Sequence, residues 1–151
     1  ACCVSGWSDH AVRRWDAATG DPVGRPMTGH TDPVAALAVG QLNGQEVIVS
    51  GSDDRTVRVW DAATGDPVGQ PLTGHTGAVT TVAIGQWRGR PAVVSGSRDG
   101  TVRFWNSGPG EPERLGLIQL DSPVTGLVPA SPTNVVVATE AAVVSLESLP
   151  R

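Results

Sequence analysis

A repeat with a period of 45 residues constrains the fold of this chain more than any other feature. The stretch Val49–His75 matches Val4–His30 at 20 of 27 positions, and the segment Ser95–Trp105 repeats its first half a further 45 positions along the chain. A fixed period of this length is typical of architectures in which one small structural unit is arrayed several times. We therefore interpret the chain as successive copies of one unit.

Short apolar runs separated by Gly, Pro, Asn and Asp indicate that each copy is built from strands. Asn43-Gly44 predicts a two-residue hairpin, and no window has helical spacing of apolar residues without an interrupting Gly or Pro. A fourth, weaker strand contains two prolines, which suit the outer edge of a sheet. The predicted strands are Val34–Val39, Glu46–Ser50, Thr56–Trp60 and Pro67–Leu72 in the second copy, and Cys2–Ser5, Ala11–Trp15 and Val23–Met27 in the first.

Two dipeptides recur at fixed places in the unit. Gly29-His30 precedes the first strand of the second copy and Trp60-Asp61 ends its third strand, while Gly74-His75 and Trp105-Asn106 occupy the same places one period later. This pattern resembles the WD-repeat β-propeller family, in particular bacterial members with near-identical repeats. The resemblance covers about residues 1–128, and it implies an all-β propeller of four-stranded antiparallel blades.

The resemblance also implies how the chain is divided. Residues 1–28 would supply strands two to four of a blade, 29–73 and 74–120 two full blades, and 121–151 a degenerate terminal blade, which gives fourteen strands. A ring cannot close with a partial blade at each end, and the family favours seven blades. We therefore expect the C-terminal half of a larger propeller, completed by a complementary propeller fragment. Further copies of the same chain, closing a ring of about eight blades, are the alternative partner.

Composition narrows the class of partner. A net charge of −4 argues against a nucleic-acid partner. No apolar run is long enough to cross a membrane, and the sequence has no charged start followed by an apolar core, as a signal peptide would have. Cys2 and Cys3 are neighbours in one predicted strand, so their side chains should point to opposite faces. This arrangement favours a reducing compartment, and we expect a cytoplasmic protein without a cofactor.

Serine, histidine and aspartate, the parts of an acyl-transfer triad, occur in the unit but repeat with it. The aspartate lies six residues and the serine ten residues before the tryptophan in every copy. An active site in every copy is implausible, and no ligand cluster has metal spacing, so we predict no catalytic residue and no metal site. In the resembled family these side chains form a hydrogen-bonded tetrad that holds the loops of a blade. The predicted structural tetrads are His30, Asp54, Ser50 and Trp60; His75, Asp99, Ser95 and Trp105; and the partial set Asp9, Ser5 and Trp15.

Residues that depart from the repeat are available to bind a partner. Trp7 stands where the other copies have Ser52 and Ser97, and Arg14 replaces an apolar residue. Tryptophan and arginine are enriched in binding hot spots; the alternative is drift between copies, with each indole lying on its own sheet. Besides Arg14, the candidate partner-binding residues are Trp7, His10, Asp32, Asp53, Arg98, Trp87 and Arg88.

The resemblance favours a non-enzymatic scaffold that binds a protein or peptide through the loops on one rim of the propeller. One alternative is a sensor or regulatory domain of a bacterial signalling or nucleotide-hydrolysing protein. Another is a small-ligand or catalytic site at the central channel, where the predicted strands Val34–Val39 and Ala78–Ile84 converge.

Overall fold

A computed structural model describes residues 2–6, 8–106, 113–131, 134–139 and 143–147. All regular structure in these residues is β-strand. None of them belongs to a helix that could span a membrane. The strands are β1 (Cys2–Gly6), β2 (Val12–Asp16), β3 (Val34–Leu42), β4 (Gln45–Ser52), β5 (Val57–Asp61), β6 (Val79–Trp87), β7 (Arg90–Ser97), β8 (Thr101–Asn106), β9 (Glu113–Gln119), β10 (Val124–Ser131), β11 (Asn134–Thr139) and β12 (Val143–Glu147).

The strands form four antiparallel sheets in which strands adjacent in sequence pair. The first sheet is β1-β2, the second β3-β4-β5, the third β6-β7-β8-β9 and the fourth β10-β11-β12. The prediction of an all-β antiparallel meander is confirmed. The predicted hairpin is also present: Leu42 pairs with Gln45, and Asn43 and Gly44 have φ angles of 52° and 79°, as a two-residue hairpin turn requires.

The predicted fourth strands of the first two sheets differ from the prediction in extent. The segment 67–72 pairs with β5 only through bridges from Trp60 to Pro67 and from Val57 to Leu72, and the segment 22–27 pairs with β2 in the same way. Proline donates no ladder hydrogen bond, and a glycine at φ 70° lies between the two bridges in each segment. The sequence of β9 contains no proline, and β9 is continuous.

Both faces of the second and third sheets are apolar, because consecutive residues of a strand point to opposite faces and several consecutive residues are apolar. In the second sheet, Ile48 and Trp60 pack towards Val12 of the first sheet, while Val49 and Val59 pack towards the third sheet. The core therefore consists of layers between consecutive sheets. The largest layer contains Val47, Val49, Val57, Val59, Leu72, Val79, Val82, Val93 and Trp105.

Glycines in β1, β4 and β7 lie where neighbouring sheets approach each other closely. A Cβ atom at Gly51 would lie 2.5 Å from Cγ1 of Val79. Gly6 meets Val34 and Gly96 meets Val124 in the same way. The Gly-rich segment Ser50–Ser52 therefore serves packing, since any side chain at its centre would push the next sheet away.

This contact predicts that Gly51→Ala lowers the free energy of unfolding by about 1–3 kcal/mol, the typical cost of overpacking. Urea unfolding of Gly51→Ala, Val79→Ala and the double variant measures the effect. In the double variant the space left by the valine should accommodate the new methyl group, so the two losses should be less than additive. Strict additivity would contradict a direct contact.

Candidate functional site

Four side chains of the second sheet form one hydrogen-bonded chain. The indole Nε1 of Trp60 donates to Oγ of Ser50 at 2.9 Å, and Oγ of Ser50 lies 2.8 Å from Nε2 of His30. His30 Nδ1 lies 2.8 Å from Oδ2 of Asp54. Because the carboxylate only accepts, Nδ1 carries the hydrogen and Nε2 accepts from the serine hydroxyl. The chain joins the loop before β3 to the turn after β4.

The third sheet repeats this arrangement 45 residues later. Trp105 Nε1 donates to Oγ of Ser95 at 2.8 Å, Ser95 Oγ lies 2.7 Å from Nε2 of His75, and His75 Nδ1 lies 3.1 Å from Oδ2 of Asp99. In both sheets the imidazole meets the indole edge to face, with planes 64° apart. The geometry therefore recurs with the fold.

Two further hydroxyls belong to each set and were missed in the sequence. Thr56 donates to Oδ1 of Asp54 at 2.6 Å, and Ser52 accepts from the backbone amide of Asp54 at 3.1 Å while donating to the carbonyl of Pro33 at 2.9 Å. Their counterparts are Thr101, which donates to Oδ1 of Asp99 at 2.6 Å, and Ser97, which donates to the carbonyl of Gly77 at 3.0 Å. The signal was the recurrence of Thr two residues after, and Ser two residues before, the aspartate.

Burial and hydrogen bonding set the charge of each His–Asp pair. Burial acts to raise the pKa of Asp54, but hydrogen bonds from Thr56, from His30 and from backbone amides lower it more, to about 2. The same balance brings the pKa of Asp99 to about 2. Burial lowers the pKa of His30 and His75, although each aspartate acts in the opposite direction. At neutral pH each pair is an ionised carboxylate and a neutral imidazole.

The serine of each hydrogen-bonded set of side chains is inaccessible to a substrate. Ser50 and Ser95 are fully buried, and each hydroxyl is shared between an indole and an imidazole. A nucleophilic serine needs room for a carbonyl carbon about 3 Å away together with oxyanion donors, and that space is filled by the tryptophan. No group of three or more His, Cys, Asp or Glu side chains that could hold a metal ion occurs in the described part of the chain.

The first sheet contains only part of the set. Trp15 Nε1 donates to Oγ of Ser5 at 2.7 Å, as in the other sheets. Asp9 instead accepts from Arg13, with 2.6 Å between Arg13 Nη2 and Asp9 Oδ2. The side chain of Asp9 is 53% exposed, whereas that of Asp54 is 6% exposed. The structure thus brings Ser5 and Trp15 together and leaves Asp9 in an exposed ion pair.

Three of the predicted partner-binding residues are exposed in loops at one end of the sheets, which we call the rim. Asp32 lies before β3, Asp53 after β4 and Arg98 after β7, and all three are exposed. His10, also in a rim turn, is half-buried with a φ of 71°. Trp7 lies outside the described residues.

Trp87 and Arg88 lie in the hairpin at the opposite end of the third sheet. The Trp87 ring packs against Phe104 with centroids 4.4 Å and planes 39° apart, and it covers Gly116, where a Cβ atom would lie 2.5 Å from the indole. Arg88 lies over the same indole, 5.4 Å from the ring centroid. The indole therefore packs on its own sheet, which is the drift alternative raised by the sequence.

Arg14 joins two sheets instead of facing solvent. It is 5% exposed, and its guanidinium donates to the carbonyls of Ala62 at 2.9 Å, Ala63 at 2.8 Å and Thr64 at 3.3 Å. These carbonyls belong to the turn after β5, which is also capped by Asp61 Oδ1 accepting from the amide of Ala63 at 2.7 Å. The turn serves as a docking point for Arg14.

The hydrogen bonds of the serine predict that its removal lowers the free energy of unfolding by different amounts in the first and second sheets. Ser50→Ala leaves Trp60 Nε1 and His30 Nε2 unpaired in the interior, at roughly 1–3 kcal/mol for each group. Ser5→Ala is the matched control and should cost less, because the Trp15 indole is half-buried and water can replace the hydroxyl. Equal losses of unfolding free energy in chemical denaturation would contradict this account.

The lowered pKa values predict loss of stability in acid. Where the unfolded chain binds more protons than the folded chain, stability falls as the pH falls. The free energy of unfolding should therefore decrease as the pH drops through about 6.5, the ordinary histidine pKa, and again below about 4 as unfolded carboxylates take up protons. Urea unfolding from about pH 8 to about pH 3, a range that spans these ordinary pKa values, measures this profile. A variant with His30→Gln and His75→Gln should lose the first decrease, and a flat profile in the parent chain would contradict it.

Comparison with known proteins agrees with this geometry. A family model for the WD domain, G-beta repeat, matches residues 20–61 and 65–106, more than half of the chain. The chain is also similar to a structure described as the crystal structure of the computationally designed Ika4 protein, at 32% sequence identity and a TM-score of 0.80, covering 97% of this chain and 84% of that chain. None of the curated proteins compared with the chain matches it. The matched repeats each contain one hydrogen-bonded set of Trp, Ser, His and Asp side chains. The match shows that this polypeptide belongs to the WD40 family of G-beta repeats.

Proposed function

We propose that this chain is part of a non-enzymatic WD40 scaffold that binds a protein or peptide through its rim. WD40 domains generally mediate protein interactions. The observation that carries the proposal is a difference in burial between two groups of polar residues. The repeated Ser, His and Asp side chains of the second and third sheets are buried in internal hydrogen bonds, whereas three charged residues that vary between sheets, Asp32, Asp53 and Arg98, are exposed on the rim.

The rim presents its charges on a fixed backbone. The Ser52 hydroxyl donates to the carbonyls of Asp32 at 3.0 Å and of Pro33 at 2.9 Å, and the amide of Asp53 donates to the carbonyl of Pro33 at 3.1 Å. The loops that carry Asp32 and Asp53 are therefore joined to each other while both carboxylates remain exposed. A preorganised pair of acidic side chains favours a basic segment of the partner, since little ordering entropy is lost on binding.

Arg98 gives the neighbouring part of the rim the opposite charge. It lines a groove of about 400 Å³ together with Thr80, Pro123, Val124 and Thr125. The groove lies where the third sheet meets the fourth. A partner that spans both features would place basic residues near Asp32 and Asp53 and an acidic residue near Arg98.

We also propose that the ring is completed by further propeller sheets. The support is the exposure of apolar residues whose counterparts are buried. Val128 is 61% exposed, whereas Ala83, at the same position one period earlier, is 5% exposed because the fourth sheet covers it. A complementary propeller fragment, or further copies of the chain, would cover these flanks, and burial of apolar area would drive the association.

The rim proposal predicts a charge-specific loss of binding. Basic peptides selected from a random library on the parent chain should bind at least about fivefold more weakly to a variant with Asp32→Ala and Asp53→Ala, a loss of the size that rim charges give. Glu46→Ala and Asp66→Ala, in a matched double variant, remove two exposed charges away from the rim loops. Fluorescence anisotropy measures both affinities. Equal weakening in the two variants would reduce the effect to net charge and contradict a rim site.

A further inference from the structure

The outer edges of the first three sheets differ in how they are protected from pairing with another strand. In the first two sheets the outer segments 22–27 and 67–72 contain two prolines each and pair with their sheets only through bridges. Prolines and short pairing keep an edge from accepting a further strand. The outer strand of the third sheet, β9, contains no proline and pairs with β8 along its whole length. It lies between β8 and β10 in the chain, far from either end of the sequence.

Backbone groups of β9 point outward at Leu117 and Gln119. The amide of Leu120 donates to the carbonyl of Gly100 at 2.8 Å, and the register continues along β9 to Leu117 opposite Arg103. Bonded and non-bonded pairs alternate along an antiparallel ladder. The N–H and C=O groups of Leu117 and Gln119 are therefore directed away from β8. Within the described residues β8 is the one strand that pairs with β9.

An exposed apolar side chain coincides with these outward groups. Leu117 is 42% exposed, and Leu115 and Ile118 on either side of it are half-buried. A single exposed leucine is common on a protein surface. A leucine whose own backbone donor and acceptor also face outward, in a strand without proline, is instead a template for strand pairing.

Trp87 supports β9 at its weakest position. A glycine inside a strand weakens it, and Gly116 is the central residue of β9. The Trp87 indole covers this glycine, with Cζ2 2.5 Å from where a Cβ atom would lie, and aromatic cover of an edge glycine stabilises such a strand. The second sheet has Leu42 at the position of Trp87. This departure from the repeat therefore occurs in the sheet whose outer strand is continuous.

We propose that β9 pairs edge to edge with β9 of a second copy of this chain, in antiparallel orientation about a two-fold axis at Leu117. Leu117 then lies opposite its own counterpart, Gly116 lies opposite Ile118, and Leu115 lies opposite Gln119. The N–H and C=O groups of the two Leu117 residues exchange hydrogen bonds across the axis, and their side chains cover each other. The two third sheets become one continuous sheet.

The position of the axis follows from the side chains of β9. An axis at Gly116 would bring the two glycines together, and with them the two Trp87 indoles that already fill the space above each glycine. An axis at Ile118 would place Leu117 opposite the polar Gln119. An axis at Leu117 matches apolar with apolar and keeps the indoles apart.

The occupant is a second copy because the edge is self-complementary. A foreign strand would need an apolar residue opposite Leu117, and a second copy supplies Leu117 itself. A two-fold pair uses the same patch on both copies, so both edges are consumed and association stops at the dimer. The exposed charges of Glu113 and Arg114 at the start of β9 limit the pairing to the centre of the strand.

Sedimentation equilibrium of the full chain tests the proposal. The mass should rise with protein concentration towards twice that of the monomer. Leu117→Lys removes the apolar contact and places like charges opposite each other, so its association constant should fall at least about tenfold. The matched control is Val23→Lys, on the outer segment of the first sheet, because Val23 is 38% exposed; it should associate like the parent. A monomeric parent, or equal weakening in the two variants, would overturn the proposal.

Disulfide trapping locates the contact independently. In a background with Cys2→Ser and Cys3→Ser, Leu117→Cys should form an intermolecular disulfide under mild oxidation. Opposed residues of an antiparallel pair have Cα atoms about 4.5–5.5 Å apart, which is within the range of a disulfide. Val23→Cys in the same background should stay monomeric, and equal crosslinking at both positions contradicts the proposal.

The same measurements separate this contact from completion of the ring. Association that persists unchanged in Leu117→Lys would run through another surface, such as the apolar flanks that further propeller sheets would cover. In that case pairing through β9 is wrong, whereas the ring-completion and rim proposals are unaffected.

Discussion

Each sheet of this protein is stabilised by the sheet that covers its face. Strand side chains alternate between two faces, and in the second sheet both faces are apolar, with Ile48 on one and Val49 on the other, each at most 1% exposed. A sheet of this kind cannot be stable alone in water, since burial of apolar area is the dominant favourable term in folding. Repeat proteins accordingly derive stability from contacts between neighbours.

The buried hydrogen-bonded sets of Trp, Ser, His and Asp side chains depend on this packing. They also fix the positions of the loops. Trp60 lies in the layer between the first and second sheets, so its indole nitrogen must find an acceptor within the protein. Ser50 supplies it and passes the interaction to His30 and Asp54. The ionised carboxylate then accepts the amide of Thr31, which fixes the loop next to Asp32. The rim is therefore set by residues that a partner never touches.

The repeat made most of the fold predictable, because identical residues at a period of 45 must occupy equivalent places. Asn43-Gly44 specified a hairpin through the backbone conformation that it favours. Residues 22–27 and 67–72 were harder, since apolar spacing suggested strands while proline removed the donors that a ladder needs. Pairing along a few bridges was the outcome of these opposing effects.

The site was predictable where residues repeat and unpredictable where they do not. The other sheets have an apolar residue at the position of Arg14. The direction of the Arg14 side chain depends on the carbonyls of Ala62 and Ala63, which no local sequence pattern connects to it. Trp87 was open to two interpretations until Phe104 and Gly116 were seen to lie beneath it. Such contacts join residues far apart in sequence, and one sequence carries no signal for them.

Amide hydrogen exchange of the isolated chain tests most directly whether coverage by neighbours governs stability. Strands β4 and β7 are paired at both edges and covered on both faces, so their amides should exchange only through global unfolding. Strand β1 is paired at one edge, and its amides should exchange at least about tenfold faster through local opening. Equal protection of β1, β4 and β7 would show that a sheet needs no neighbour on its outer side, and would contradict the account.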